Sequence, residues 1–201
     1  MKNIAIFASG GGSNFKAIYN NIVSGYISAK ISLVISNNSN SGAIKFAEKN
    51  KIPTFVVNKI RFSDIESHDD RILEKLYQYK IHLICLAGYM KMVPRKIIEK
   101  YSNSILNIHP SLLPKFGGRG FYGIKVHEAV IKSREKESGV TIHLVDDKYD
   151  NGPIVLQEKI KLDDDETAIS LSEKILKIEH IVYSEVLKAY SEGKIKLDKI
   201  K

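Results

Sequence analysis

Ser104-Ile105-Leu106-Asn107-Ile108-His109-Pro110-Ser111-Leu112-Leu113-Pro114 is the stretch on which the reading of this chain turns. Ser104 to Ile108 reads as a short buried strand, and Pro110 and Pro114 cannot continue its hydrogen-bond ladder. Asn107 and His109 stand two positions apart, so on an extended backbone their side chains leave the same face. That puts them side by side at the carboxyl end of a strand, where open α/β sheets place ligands. A carboxamide donor beside an imidazole can hold a developing oxyanion and move a proton near neutral pH. Taken alone, the pair is better read as a strand-end asparagine and histidine that only satisfy turn backbone, and the rest of the chain has to reverse that reading.

Upstream of this stretch, strand and helix alternate. Asn3 to Ala8 predicts a first strand, and Phe15, Ile18, Tyr19, Ile22 and Val23 fall at helical spacing up to Gly25. Ile31 to Ser36, Thr54 to Val57 and His82 to Ala87 predict further strands, the last a continuous apolar run suited to a buried parallel strand. Helices are expected from Gly42 to Lys49, from Ser63 to Tyr79, and from near Pro94, a favoured first-turn residue. Downstream, a glycine-rich loop at Phe116 to Gly123 precedes a helix from Ile124 to Lys132. Gly139 to Val145 and Ile154 to Lys161 then alternate as strands, and a final amphipathic helix runs from Thr167 to Tyr190. The pattern predicts an α/β fold: a Rossmann-like, doubly wound, mostly parallel sheet with C-terminal antiparallel strands. One domain spanning residues 1–201 is expected, with a loose tail from Gly193 to Lys201.

The composition fits this expectation. A chain of 201 residues can bury about 70% of its unfolded surface in one domain. Its 43% hydrophobic and 27% charged residues are ordinary for a soluble globular protein. No apolar run reaches the length of a membrane span, and the segment from Met1 to Phe7 is too short and patterned for a signal peptide. A cytoplasmic location without membrane contact is expected. The net charge of +8 invites a nucleic-acid reading. However, of the basic residues only Arg61, Arg71, Arg95, Arg119 and Arg134 are arginine. The lysines are spread without a dense basic tract or interleaved aromatics, which argues against it. Small anionic ligands suit such a surface better. Cys85 is the single cysteine, so no intramolecular disulfide can form, and its apolar neighbours predict a core position.

Two loops carry further chemistry. Ser9-Gly10-Gly11-Gly12-Ser13-Asn14 lies between a strand and a helix, the arrangement that presents backbone N–H groups and a positive helix end to an anion. It matches neither the dinucleotide fingerprint nor a Walker loop. One phosphate on a small substrate fits, and a plain tight turn capped by Ser13 is the alternative. Asp150-Asn151-Gly152-Pro153 is a sharp turn that can aim a carboxylate across the sheet. Near His109, that carboxylate would raise the imidazole pKa above about 6.5. Asp146, Asp147 and Asp150 are otherwise good turn residues.

Together with Leu86-Ala87-Gly88-Tyr89-Met90, these segments are similar in order and spacing to the phosphoribosylglycinamide formyltransferase family over nearly the whole chain. The resemblance implies small-molecule substrates, with 10-formyltetrahydrofolate as co-substrate and neither metal nor covalent intermediate. Gly12, Ser13 and Asn14 would bind the substrate phosphate, and Glu179 would match the family acid near the glycinamide amine. Met90, Lys91, Met92 and Val93 would line the folate pocket with Asn107. Asn107 and a protonated His109 would stabilise the oxyanion, with Asp150 positioning His109. The Leu113–Pro114 bond would be cis, and the protein a monomer or weak homodimer. Lys91 stands where the family often has arginine. Near residues 59–66 only Lys59 or Arg61 offers the usual basic folate contact, and the Gly117 to Gly123 loop is longer than in some relatives. His68, His82, His127, His143 and His180 are expected at surface or core positions, with His143 nearest the site. Methionyl-tRNA formyltransferase and formyltetrahydrofolate hydrolase share the Asn/His/Asp set, but each is expected to carry a further domain. A silent nucleotide-binding module could dispense with all three residues.

Overall fold

The computed structural model describes residues 1–58 and 65–200, with side chains omitted at 65–67. The strands are β1 (Lys2–Phe7), β2 (Ala29–Ser36), β3 (Thr54–Val56), β4 (Leu83–Leu86), β5 (Ile105–His109), β6 (Glu137–Leu144) and β7 (Ile154–Lys161). The helices are α1 (Ser13–Val23), α2 (Gly42–Lys49), α3 (Ile65–Gln78), α4 (Arg95–Lys100), α5 (Ile124–Lys132) and α6 (Ala168–Ser191). The strands form one sheet in the order β3-β2-β1-β4-β5-β6-β7. Pairing is parallel from β3 to β5 and antiparallel through β6 and β7. The Rossmann-like, mostly parallel sheet with antiparallel C-terminal strands is therefore the observed architecture. Its order reverses between β1 and β4, and that reversal opens a crevice at the carboxyl ends of those strands.

The two faces of the sheet follow the two-residue period of the strands. Ile4 and Ile6 of β1, with Leu83 and Cys85 of β4, pack under α1, α2, α5 and α6. Ala5 and Phe7, with Ile84 and Leu86, face α3 and α4. Each fully buried Ile, Leu or Phe contributes roughly 1.5–3 kcal/mol, so covering both faces is what holds the crossovers in place. Cys85 is buried, as expected, and burial pushes its thiol pKa up to about 12. The Tyr183 hydroxyl reaches the same layer, where Leu86 O and Leu106 O lie 3.3 and 3.1 Å away.

Several boundaries differ from expectation. The first helix is not capped by Ser13. Gly12 holds the cap position in the left-handed region (φ 72) with no side-chain cap. A Cβ there would lie 3.1 Å from Ala43, so the position calls for glycine on both backbone and packing grounds. Pro94 precedes α4 as its cap rather than entering its first turn. The helix expected from Ser63 begins among residues outside those described. The tail is not loose: Leu197 is buried in a short 3-10 turn, and Ile195 and Ile200 pack on the core. The apolar residues among the tail lysines give it a face worth burying. The Leu113–Pro114 bond is cis.

Candidate active site

A cavity of about 500 Å³ lies over the carboxyl ends of β1, β4 and β5. Of the residues singled out from the sequence, Gly12, Ser13, Asn14, Met90, Lys91, Met92, Val93, Asn107, His109, Asp150 and Glu179 line it. At one end is the glycine loop. An added Cβ on Gly10 or Gly11 would meet nothing within 4 Å, whereas on Gly42 it would stand 2.9 Å from Gly11 O. The loop thus rests on the start of α2, where Ala43 N–H donates to Gly10 O at 3.1 Å, and its upper side is open. One of the two Asn14 amide hydrogens is already engaged. The Asn14 Nδ2 donates to Glu179 Oε2 at 2.9 Å, and its Oδ1 is buried without a hydrogen-bond partner.

Glu179 is the charge anomaly at this end. Burial raises its carboxyl to about 7, with the Asn14 amide pulling the other way. A folded-state value above the ordinary 4.5 means the folded chain holds this proton more tightly than the unfolded one. The resulting stability is fully present below pH 4.5 and is lost as pH rises through about 7, a change of about 3 kcal/mol at most. Glu179→Gln is therefore expected to match the parent near pH 4.5 and exceed its stability at pH 8, read by denaturant unfolding at both values. Equal stability at pH 8 would contradict the buried carboxylate.

The other end gathers four side chains. Asn107 Nδ2 lies 3.2 Å from Asp150 Oδ1 and 3.0 Å from His143 Nε2. His143 Nδ1–H donates to Leu144 O at 2.7 Å, which leaves Nε2 as the acceptor for Asn107. Asp150, held in the left-handed region (φ 51), also accepts from Gly118 N–H at 2.9 Å. His109 Nε2–H donates to Phe116 O at 2.8 Å, and its Nδ1 faces Asp150 Oδ2 at 3.5 Å.

Two expectations change here. Asn107 was expected to offer N–H groups to an oxyanion, but both hydrogens of its amide are already engaged. His109 was expected to be protonated, but its pKa is lowered from 6.5. Burial is the largest cause and outweighs the attraction of Asp150 and the bond to Phe116, while nearby His143 lowers it further. For Asp150, burial pushes upward most strongly. The His143 imidazole, the charge of His109 and the Gly118 N–H together reverse it, so its carboxyl is lowered from 3.8 and is ionised at neutral pH.

Sequence reasoning missed some participants. His143 was placed only near the site, yet antiparallel register sets it directly opposite Asn107. His127 is buried beside the cavity with Nδ1 unpaired, and burial lowers its pKa to about 4. Phe116 O and Gly118 N–H are backbone groups with no side-chain signal. Lys59 and Arg61, the expected substitutes for a basic folate contact, lie outside the described residues.

The sequence pattern of the formyl transferase family matches residues 2–187. This chain belongs to the formyl transferase family. The formyltransferase is 36% identical over 197 residues to phosphoribosylglycinamide formyltransferase of Haemophilus influenzae, covering 98% of this chain and 91% of that one. It is 38% identical to the chloroplastic phosphoribosylglycinamide formyltransferase of Arabidopsis thaliana over 97% of this chain, and spans about two thirds of the length of the plant relatives it matches. The crystal structure of glycinamide ribonucleotide transformylase 1 from Symbiobacterium toebii superposes with a TM-score of 0.89 at 31% identity, covering 98% of this chain and 90% of that one. Among the described residues of the formyltransferase, no helix is long and apolar enough to cross a membrane.

Proposed function

We propose that this formyltransferase moves the formyl group of 10-formyltetrahydrofolate to the amine of 5-phosphoribosylglycinamide, giving formylglycinamide ribonucleotide and tetrahydrofolate in purine biosynthesis. The observation that carries this reading is one continuous cavity with an open glycine loop and Glu179 at one end and the Asn107, His109, His143 and Asp150 cluster at the other. Its volume lies within the range of roughly 300–1,000 Å³ common for small-molecule sites. We assign the ribonucleotide phosphate to the backbone N–H groups of Gly11, Gly12 and Ser13 at the start of α1. The folate ring is assigned to the loop from Met90 to Val93, where Leu86, Val93 and Val145 give the cavity an apolar wall.

In the transfer, the amine nitrogen bonds to the formyl carbon, the bond from that carbon to folate N10 breaks, and one amine proton passes to N10. Asp150, ionised and acceptor-only, is the group fitted to receive that proton, directly or through one water. His109 has Nε2 committed to Phe116 O, so only its Nδ1 can exchange a proton, and that atom faces Asp150. As Asp150 takes up the proton its hold on Asn107 weakens, which frees an N–H for the oxyanion formed on the former formyl oxygen. Proton uptake and oxyanion stabilisation are thereby linked through one amide. We place the enzyme in the cytoplasm as a monomer or weak homodimer acting on small molecules, with residues 1–201 forming one domain.

The test is a formyl-transfer assay with and without the ribonucleotide. Deformylation that requires the ribonucleotide, with the formylated product identified by mass, is the expected result. Equal deformylation in its absence would make the protein a hydrolase, and ribonucleotide binding without turnover would make it a binding module.

A further inference from the structure

The three loops that follow β1, β2 and β4 meet at one side chain. β1 lies between β2 and β4 in the sheet, and its strand direction carries on for two residues beyond Phe7. Ala8 N–H donates to Ile35 O of β2 at 3.0 Å, and Ser9 N–H donates to Gly88 O at 3.0 Å on the other side. The Ser9 hydroxyl then acts in both directions. It accepts Met90 N–H at 2.8 Å and donates to the Asn37 carboxamide just after β2. Such double use needs a hydroxyl, since an alanine could do neither. Gly10, the next residue, begins the open part of the glycine loop, and Met90 begins the segment that runs to Val93.

From this geometry we infer that Ser9 is a positioning residue that couples occupancy of the glycine loop to occupancy of the Met90 to Val93 loop. The inference rests on the reading that these loops hold the ribonucleotide and the folate. Ser9 touches neither ligand. Its role is to make the two loops move as one, so that a phosphate ordering Gly10 to Ser13 also fixes the Met90 amide. Asn37 orients the hydroxyl, because a serine that has given its hydrogen to Asn37 presents a lone pair to Met90. Coupling of this kind is reciprocal: the ribonucleotide must tighten folate binding by the factor by which folate tightens the ribonucleotide.

The measurement is the dissociation constant of tetrahydrofolate, which has no formyl group to transfer, with and without saturating 5-phosphoribosylglycinamide. Typical site-to-site coupling is about 5- to 150-fold, and the parent chain is expected to show tightening in that range. In Ser9→Ala the ratio should fall to within about twofold of one, below that range, while Ser9→Thr, which keeps the hydroxyl, restores it. Asn37→Ala should reduce the ratio as well and serves as the second variant if Ser9→Ala folds poorly. A merely structural role would lower the melting temperature and leave the ratio unchanged. An unchanged ratio in Ser9→Ala or Asn37→Ala, or a ratio of one in the parent, would overturn the inference. Failure of the parent to transfer formyl would instead overturn the functional reading, and it would be seen before any variant is made.

Discussion

Asp150→Asn is expected to lower kcat for formyl transfer by about 10²- to 10⁴-fold, the range typical for loss of a positioned acid–base group, with little change in stability. The substitution keeps the shape and the left-handed backbone, which asparagine tolerates as aspartate does. It can still accept the Gly118 N–H through its carbonyl oxygen. What it removes is the ionised acceptor, so the amine proton has no positioned anionic acceptor to reach. It also removes the one charge that raises the pKa of His109, so His109 becomes harder to protonate and cannot substitute. Binding of the ribonucleotide at the far end of the cavity should stay within about twofold, since a mutation that removes only transition-state help leaves ground-state binding alone. Measured kcat, melting temperature and ribonucleotide affinity decide the matter together. A kcat within tenfold of the parent would remove Asp150 from the chemistry.

Asn107→Ala should cost about 10²- to 10³-fold in kcat, as expected for one oxyanion donor. The consequence extends further than a lost donor. The amide of Asn107 spans His143 Nε2 and Asp150 Oδ1, so its removal leaves the imidazole acceptor and one carboxylate oxygen without that partner. Both groups keep other contacts, His143 through Leu144 O and Asp150 through Gly118 N–H, which is why the fold should survive. Because the two residues act through a shared hydrogen bond, Asp150→Asn combined with Asn107→Ala should lose less than the product of the single losses. Full multiplicative loss would mean that the two act independently, and the link between proton uptake and the oxyanion donor would fall.

The two-residue period made much of this site legible in advance. Asn107 and His109 share a face because any strand puts them there, and the glycine loop announces itself by residue type alone. Asp150 could be read as a turn residue aimed inward, but its neighbours could not. His143 reaches Asn107 only because β6 runs antiparallel to β5 in one particular register, and a sequence does not print the register between strands joined by a long connection. The protonation of His109 was misjudged for a different reason. Charge can be counted along a chain, whereas desolvation depends on everything packed around the ring, and here desolvation is the larger influence. Phe116 O and Gly118 N–H belong to the backbone, which every residue carries alike. The tail was misread because three scattered apolar residues among lysines give too short a pattern to distinguish a packed turn from a solvated one.

The change of strand direction at β5 divides labour within the sheet. The parallel half lines the cavity through the loops after β1 and β4, the segments proposed to hold the phosphate and the folate ring. The antiparallel half brings His143 on β6 and Asp150 in the turn that leads to β7, the proposed seat of proton transfer, and Asn107 stands on the boundary strand between them. A β6–β7 hairpin needs only local pairing to re-form its register, so its connecting turn can be rewritten without re-threading any crossover. On the proposed reading the attacking amine is held at the glycine loop, outside this hairpin, so rewriting the connecting turn would alter how a proton is handled while leaving both ligand sites in place.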